Sequence, residues 1–346
     1  MTENVFSDLY KDDMFAQNFN FIIIMNTSES RHWIIQALWF ILIPVNILAD
    51  ENDKLFQFGL FPPISSNGIH CGKTVNTISL NLIGGYSAGS KIFELGGAWN
   101  ISREYTKGVQ IAGLLNYSNY SNKSIQVSGL GNIVATGISP LQIGGLLNIA
   151  DRIKGIQFSG FVNIAKKVKG VQIGLINYME NGEEGVSIGL INVAKQGGKY
   201  EFEVSFSESL STLLSFRLGT DRFYTIFSGG INYFFNPLEY TLGLGFGTSI
   251  NWKKHWSNQL EIHAFGITQE KKFINNSTTN IIRMSFPVCR TFNKHFKLFW
   301  GPTLNIGLQH TEIVEKAKLS SWALWNSNWD KLEATGWIGL SAGARF

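Results

Sequence analysis

From about residue 56 to the last residue, apolar and polar side chains take turns along the chain. Leu238, Tyr240, Leu242, Leu244, Phe246, Thr248, Ile250 and Trp252 oppose Glu239, Thr241, Gly243, Gly245, Gly247, Ser249 and Asn251. Phe296, Leu298, Trp300, Leu304, Ile306 and Leu308 oppose Lys297, Gly301, Thr303, Asn305 and Gly307, and the same rule governs Tyr200 to Phe206 and Ile338 to Phe346. Side chains that change face at every residue belong to β-strands. Runs this long exceed the soluble strand of about 5–6 residues and match the roughly 9–11 that a tilted strand needs to cross a bilayer.

Between Gly108 and Ala194 the alternation carries one phrase written six times: GVQIAGLLNY, SIQVSGLGNIVA, PLQIGGLLNIA, GIQFSGFVNIA, GVQIGLINY and GVSIGLINVA. Its anchors are Gln110, Gln126, Gln142, Gln157, Gln172 and Ser187, spaced by 16, 16, 15, 15 and 15 residues. In the first copy Val109, Ile111, Gly113, Leu115 and Tyr117 share one face, and Gln110, Ala112, Leu114, Asn116 and Ser118 share the other. Each copy therefore predicts one strand plus a hairpin turn, with no room for a crossover helix. Copies five and six lose one residue before Asn177 and Asn192, which predicts a bulge or bend, since a one-residue slip flips every later side chain.

Strands starting near residues 77, 92, 108, 125, 140, 155, 170, 186, 200, 210, 223, 239, 256, 280, 296 and 335 make 16, an even number as bacterial barrels require. The expected fold is all-β: an antiparallel up-and-down transmembrane β-barrel of about 16 strands over residues 77–346. Residues 108–194 form its repeat half and 200–346 its non-repeat half, and the strand at 335–346 closes the barrel beside the one near 77. The alternative is a repeat β-solenoid followed by a smaller β-barrel; a soluble β-sandwich is a third arrangement.

Ahead of the sheet, residues 1–24 read as a leader foreign to the fold. Residues 25–49 read as a secretory signal: Arg31 and His32, an apolar core from Trp33 to Ile43, and a small-residue site at Ala49. Residues 50–76 are expected to form a periplasmic N-terminal segment. Removing 1–49 leaves 27 basic and 20 acidic residues, a net charge of +7 without any dense cluster, which is no nucleic-acid footprint. Cys71 and Cys289 stand far apart, with no histidine or second cysteine at metal-ligand spacing, and read as two buried thiols.

The repeated G-[VI]-Q-[IF]-x-G-[LF]-x-N-[IVY]-A phrase, with the preceding FGLFPPISSNGIHCGKTVNTISLNLIGGYSAGSKIFELGGAWNI, resembles a family of bacterial surface-repeat proteins over roughly residues 56–235. The resemblance implies a cell-surface or outer-membrane location and carries no activity to any residue. Phe346, on the apolar face of the last strand, resembles the C-terminal aromatic signal of bacterial outer-membrane barrels, which implies the barrel-assembly machinery as a partner. Outer-membrane lipid is the other expected partner, and a homo-oligomer is one use for the smooth row Gly113, Gly129, Gly145 and Gly160.

The inward face supplies the candidate site residues. Charged candidates for lining a lumen or binding a solute are Glu201, Glu203, Arg217, Glu239, Glu261, His263, Arg283, Lys297 and Arg345. Gln110, Gln126, Gln142, Gln157 and Gln172 are expected to mix with Asn116, Asn132, Asn148, Asn163, Asn177 and Asn192 into two inner amide bands, with Leu114, Leu130, Leu146 and Phe161 as an apolar waist between them. Trp322, Trp325 and Trp329 recur at helical spacing in the last outer loop. No HExxH, GxSxG or GxxxxGK[ST] is present, so neither an enzyme nor a cofactor is expected. The leading function is an outer-membrane barrel that admits or binds small solutes; the alternative is a surface-exposed structural or adhesive repeat protein without transport.

Overall fold

The computed structural model describes residues 53–233, 238–269, 279–293, 295–310 and 323–346. The expected leader and signal at 1–49 lie outside these residues, as do Trp322, Phe234 and Phe235. The chain is all-β and falls into a parallel β-solenoid of about 8 turns followed by a smaller antiparallel barrel. The single 16-stranded barrel is thereby replaced by the split architecture.

The correction rests on what one repeat does. Val109–Ala112 is one strand, Gly113 and Leu114 turn a corner, and Leu115–Asn122 runs back as a second strand. The chain then turns again at Lys123 and enters the next copy at Ile125–Ser128. Each 15–16-residue copy is one two-sided coil, and successive coils pair in parallel. Gln110 sits over Gln126 and Asn116 over Asn132, so like stacks on like instead of mixing into bands.

Glycine makes the first corner possible. A Cβ on Gly113, Gly129, Gly145 or Gly160 would overlap the backbone carbonyl of the coil before it, so no larger residue fits. The residue missing from copies five and six is lost at this corner. Gln157 still pairs with Gln172, and Asn163 with Asn177, so no later side chain changes face. Leu114, Leu130, Leu146 and Phe161 line no interior: they stand at the corner and are exposed.

Inside the solenoid lie the small and amide side chains. Ala150, Ile153, Ala165, Val168, Met179 and Ala194 form a buried apolar cluster beside the amides. The outward positions are the apolar ones, among them Ile143, Ile156, Phe158 and Ile188. Residues ahead of the repeats join the same sheet, as Asp53–Phe61 pairs in parallel with Val75–Asn81. A short 3-10 helix at Gly68–Lys73 buries Cys71.

The barrel has eight strands: Gly198–Ser207, Thr212–Thr220, Tyr224–Asn232, Glu239–Lys253, Trp256–Gln269, Thr279–Ser285 continued by Val288–Asn293, Phe296–His310 and Leu332–Arg345. The eight strand starts expected after residue 196 fall on these elements or within two residues of their first residue. Each strand pairs with the next, and the last closes on the first, with Glu203 opposite Arg345. Closure therefore occurs at the strand near 200 and not at the one near 77. Trp325–Trp329 adds a short strand outside Leu332–Arg345, so Trp325 and Trp329 are strand residues, contrary to the helical spacing.

Candidate functional site in the barrel lumen

Strict alternation places all nine expected charged residues on the inner face of the barrel. An eight-stranded barrel is only wide enough for side chains to fill it, so these groups meet one another across the lumen. Arg217 donates from Nε and Nη2 to the two oxygens of Glu261 at 3.1 and 3.0 Å, and its Nη1 lies 2.6 Å from Glu203 Oε2. Arg345 donates from Nε to the same Glu203 oxygen at 2.6 Å, reaches Glu261 Oε1 at 3.4 Å and donates from Nη1 to Gln259. All four charged residues are buried. Two guanidinium groups thus face two carboxylates, which balances the charge that burial would otherwise make costly.

Around this centre the remaining lumen fills. Tyr224 donates to Glu261 Oε1 at 2.9 Å, and His263 Nε2 stands 3.4 Å from Glu261 Oε2 with its ring stacked on Phe265. Toward the solenoid end Lys297 donates to Glu201 at 2.5 Å, and Lys199 bridges to Asp221 at 3.1 Å. Toward the other end Arg283 donates to Asn305 at 2.7 Å and to Ser209 at 2.9 Å, and Asn232 donates to Glu239 at 3.2 Å. Between Arg283 and the Asn232–Glu239 pair, Leu210, Leu213, Phe265, Ile267, Ile281 and Trp337 fill the barrel with a buried apolar cluster.

The structure adds partners that charge alone did not mark. Gln259 precedes Glu261 by two residues, and its face could have been read from parity. Tyr224 points inward from the start of its strand, and Cys289 lies 3.3 Å from Arg345 Nη1. Glu208 accepts from the Trp337 indole and the Leu340 amide, each at 3.0 Å. At the solenoid end two clefts remain, one of about 340 Å³ bounded by Lys199, Glu201, Asp221, Lys297 and Arg345, and one of about 680 Å³ bounded by Lys199, Asp221, Trp252, Trp256 and Lys297. Trp325 and Trp329 are exposed outside the barrel and contribute nothing to this interior.

The amides expected as inner bands lie in the solenoid, where they form two ladders. Gln126, Gln142, Gln157 and Gln172 each donate to the glutamine one coil earlier at 2.7–2.9 Å. The asparagines run in the opposite sense: Asn116 donates to Asn132, Asn132 to Asn148 and so on to Asn192, at 2.8–3.1 Å. Most second amide protons go to a backbone carbonyl, as Asn116 does to Val127 at 2.8 Å. Pairing along the two ladders is what allows so many amides to be buried.

Glu94 ends the glutamine ladder. Its Oε2 accepts from Gln110 at 2.8 Å and from Ser102 at 3.3 Å, while among the described residues nothing donates to Oε1. Burial pushes this carboxyl above the ordinary carboxylate range, against the lowering effect of its two donors.

Among the described residues no group of His, Cys, Asp and Glu is arranged to hold a metal ion. No protein-family model, curated protein or solved structure matches this chain.

Proposed function

We propose that this chain is a structural repeat protein of an outer membrane, in which the barrel is an anchor closed to solutes and the solenoid is what it holds. The observation that carries this reading is the filled lumen. Arg217 and Arg345 interlock with Glu203 and Glu261 across it, and the apolar cluster around Phe265 and Trp337 fills it toward one end. The geometry favours an anchor over the solute-admitting barrel expected from charge placement.

The barrel exterior supports the membrane part. Phe202, Phe216, Leu244, Ile262, Leu304 and Ile338 are exposed around its circumference, and an apolar outside around a polar inside is the arrangement a bilayer demands. Trp252, Trp256, Phe292 and Phe296 cluster near the turns at the solenoid end, as an interfacial girdle does. Strands there are joined by short turns at 221–223 and 254–255. Toward the opposite end nine residues separate Gln269 from Thr279 in the sequence, and fourteen separate His310 from Trp325. Bacterial barrels keep short turns on the periplasmic side, so the repeats belong at the inner leaflet and serve a structural role in preference to an adhesive one. Export, and assembly through the Phe346 strand, belong to the same reading.

Planar-bilayer recording on the refolded full chain tests it, with heat-modifiable gel migration as the sign that the barrel is intact. The expected result is a folded barrel without channel steps. Steady conductance from folded barrel would overturn the closed anchor, and recovery of a folded chain in the soluble fraction would overturn the membrane location.

A further inference from the structure

The solenoid is inside out by the standards of a soluble domain. Its amides are buried, whereas the face built from Val109–Ala112 and its counterparts turns apolar side chains outward across its width; the face built from Leu115–Asn122 and its counterparts does so beside the first corner and gives way toward the second corner to Arg103, Arg152, Lys166, Lys167, Glu180 and Lys195. The first-corner row Ile83, Leu114, Leu130, Leu146, Phe161 and Leu175 is 40–55% exposed. Exposed apolar surface this continuous marks a face that something covers. The second corner carries a different row: Lys91, Lys107, Lys123, Lys154 and Lys169. The solenoid is therefore a blade with a leucine edge and a lysine edge.

How the blade joins the barrel says what covers it. Thr225 is paired with Leu218, on the outer face of the barrel wall, yet it is fully buried, because the last coil lies on it. Thr225 donates to the Gly189 carbonyl at 2.8 Å and accepts from Asn192 at 3.1 Å. Three residues lower, in the turn, Arg222 donates to the Glu184 carbonyl at 2.7 Å. Gly189 belongs to the leucine edge and Glu184 to the lysine edge. The leucine edge thus meets the wall further from the turn than the lysine edge does. The blade springs sideways from the outer wall at the level where the barrel's own apolar belt begins.

We infer that the solenoid is embedded edge-on in one leaflet of the membrane, with lipid acyl chains as the occupant of its apolar faces. This rests on the barrel being membrane-inserted. Continuity with the belt is the first argument. The second is that one face, the leucine edge and the adjoining half of the other face are apolar together, while the charged half lies beside the lysine edge, a division that a lipid leaflet matches and a single docked protein does not. The third is dimension: from Gly108 to Gly113 the blade is about 17 Å wide at ~3.3 Å per residue, close to the roughly 15 Å of hydrocarbon in one leaflet. The lysine row then falls at the phosphate level, where long basic side chains hold their charge in water and their stems in lipid.

The test uses the full chain carrying Cys71→Ala and Cys289→Ala, refolded into phosphatidylcholine–phosphatidylglycerol vesicles. A fluorophore is placed through Leu130→Cys or Leu146→Cys on one edge, through Lys123→Cys or Lys154→Cys on the other, and through Leu304→Cys on the barrel belt. Doxyl-labelled acyl chains should quench the Leu130 and Leu146 probes as strongly as the Leu304 probe, and several-fold more than they quench the lysine-edge probes. Iodide should show the reverse order. Iodide quenching at Leu130 and Leu146 with lipid quenching at Leu304 would mean an inserted barrel with its solenoid in water, and would overturn the inference alone. Iodide quenching at all three would overturn the barrel reading and the inference with it. Shielding of Leu130 and Leu146 from both quenchers, with cross-links between chains, would assign the faces to a second copy instead.

Discussion

Asn192 donates its amide to Thr225 Oγ1 at 3.1 Å, and through this bond the asparagine ladder of the solenoid terminates on the barrel wall. Thr225 also donates to the Gly189 carbonyl, so one hydroxyl satisfies both ends of the last coil's corner.

Replacing Thr225 with valine keeps the shape and removes both bonds, leaving one buried Asn192 amide proton unpaired while the Gly189 carbonyl keeps only the Asn192 amide as donor. The expected cost is about 1–3 kcal/mol, confined to the junction. Limited proteolysis should then cut near Gly197 and Gly198 at lower protease concentration than in the parent chain, while the barrel keeps its heat-modifiable migration. Unchanged cutting would show that the junction is held by other contacts.

Arg217→Met leaves Glu261 and Glu203 to share Arg345, with one negative charge uncompensated in the lumen. Removing one member of a buried ion pair costs about 3–5 kcal/mol, so urea unfolding in detergent micelles should shift to markedly lower concentration. Adding Glu261→Gln to Arg217→Met should recover a large part of the loss, because the uncompensated charge disappears with it. A double variant as unstable as the single one would mean that packing, and not charge, dominates at Arg217.

Glu94 predicts a pH dependence of the opposite sense to a salt-bridged carboxylate. Its folded pKa is raised, so the native chain keeps a proton that the unfolded chain gives up. The stability associated with Glu94 is present in full below the ordinary value of 4.5 and is lost as pH rises through the folded pKa. Glu94→Gln continues the ladder with a group that does not titrate. The variant should match the parent at acid pH and gain on it above pH 4.5, by up to about 1.4 kcal/mol per pH unit. Thermal unfolding across a pH series reads the difference; parallel curves would place the Glu94 carboxyl outside this account.

Gly145→Ala should destabilise the solenoid by about 1–3 kcal/mol, since the added methyl meets the Gly129 carbonyl in an already packed corner. Gly229→Ala is the control, because its nearest neighbour would be the Leu242 side chain at 3.9 Å. Equal effects in a denaturant series would remove close coil approach as the reason for the glycine row.

The barrel half was legible because each of its strands obeys one parity from end to end, so Glu203, Arg217, Glu261 and Arg345 could be assigned to the interior directly. The repeat half misled through the same rule. Gln110 and Asn116 are six residues apart, and a two-residue corner between them preserves even parity, so a folded coil and a straight strand produce identical alternation. Two residues carried the missing signal. Leu114 stood at an inward parity among amides, where a large apolar side chain has no partner of its kind, and Asn177 kept its role after a one-residue loss that only a corner can absorb. The junction left fainter traces, chiefly a threonine at position 225 in an outward row that is otherwise apolar.

The two amide ladders run in opposite senses, and every copy brings its own donor and acceptor to each of them. A coil therefore leaves no ledger open: inserting or deleting one 15-residue copy changes the solenoid by a single strand spacing of about 4.8 Å and leaves every neighbouring bond type as it was. The glutamine and asparagine donors point opposite ways along the solenoid, so their side-chain dipoles oppose each other in every added copy. Reach is consequently a quantity that gene duplication can set in discrete steps, with the landing on Thr225 untouched.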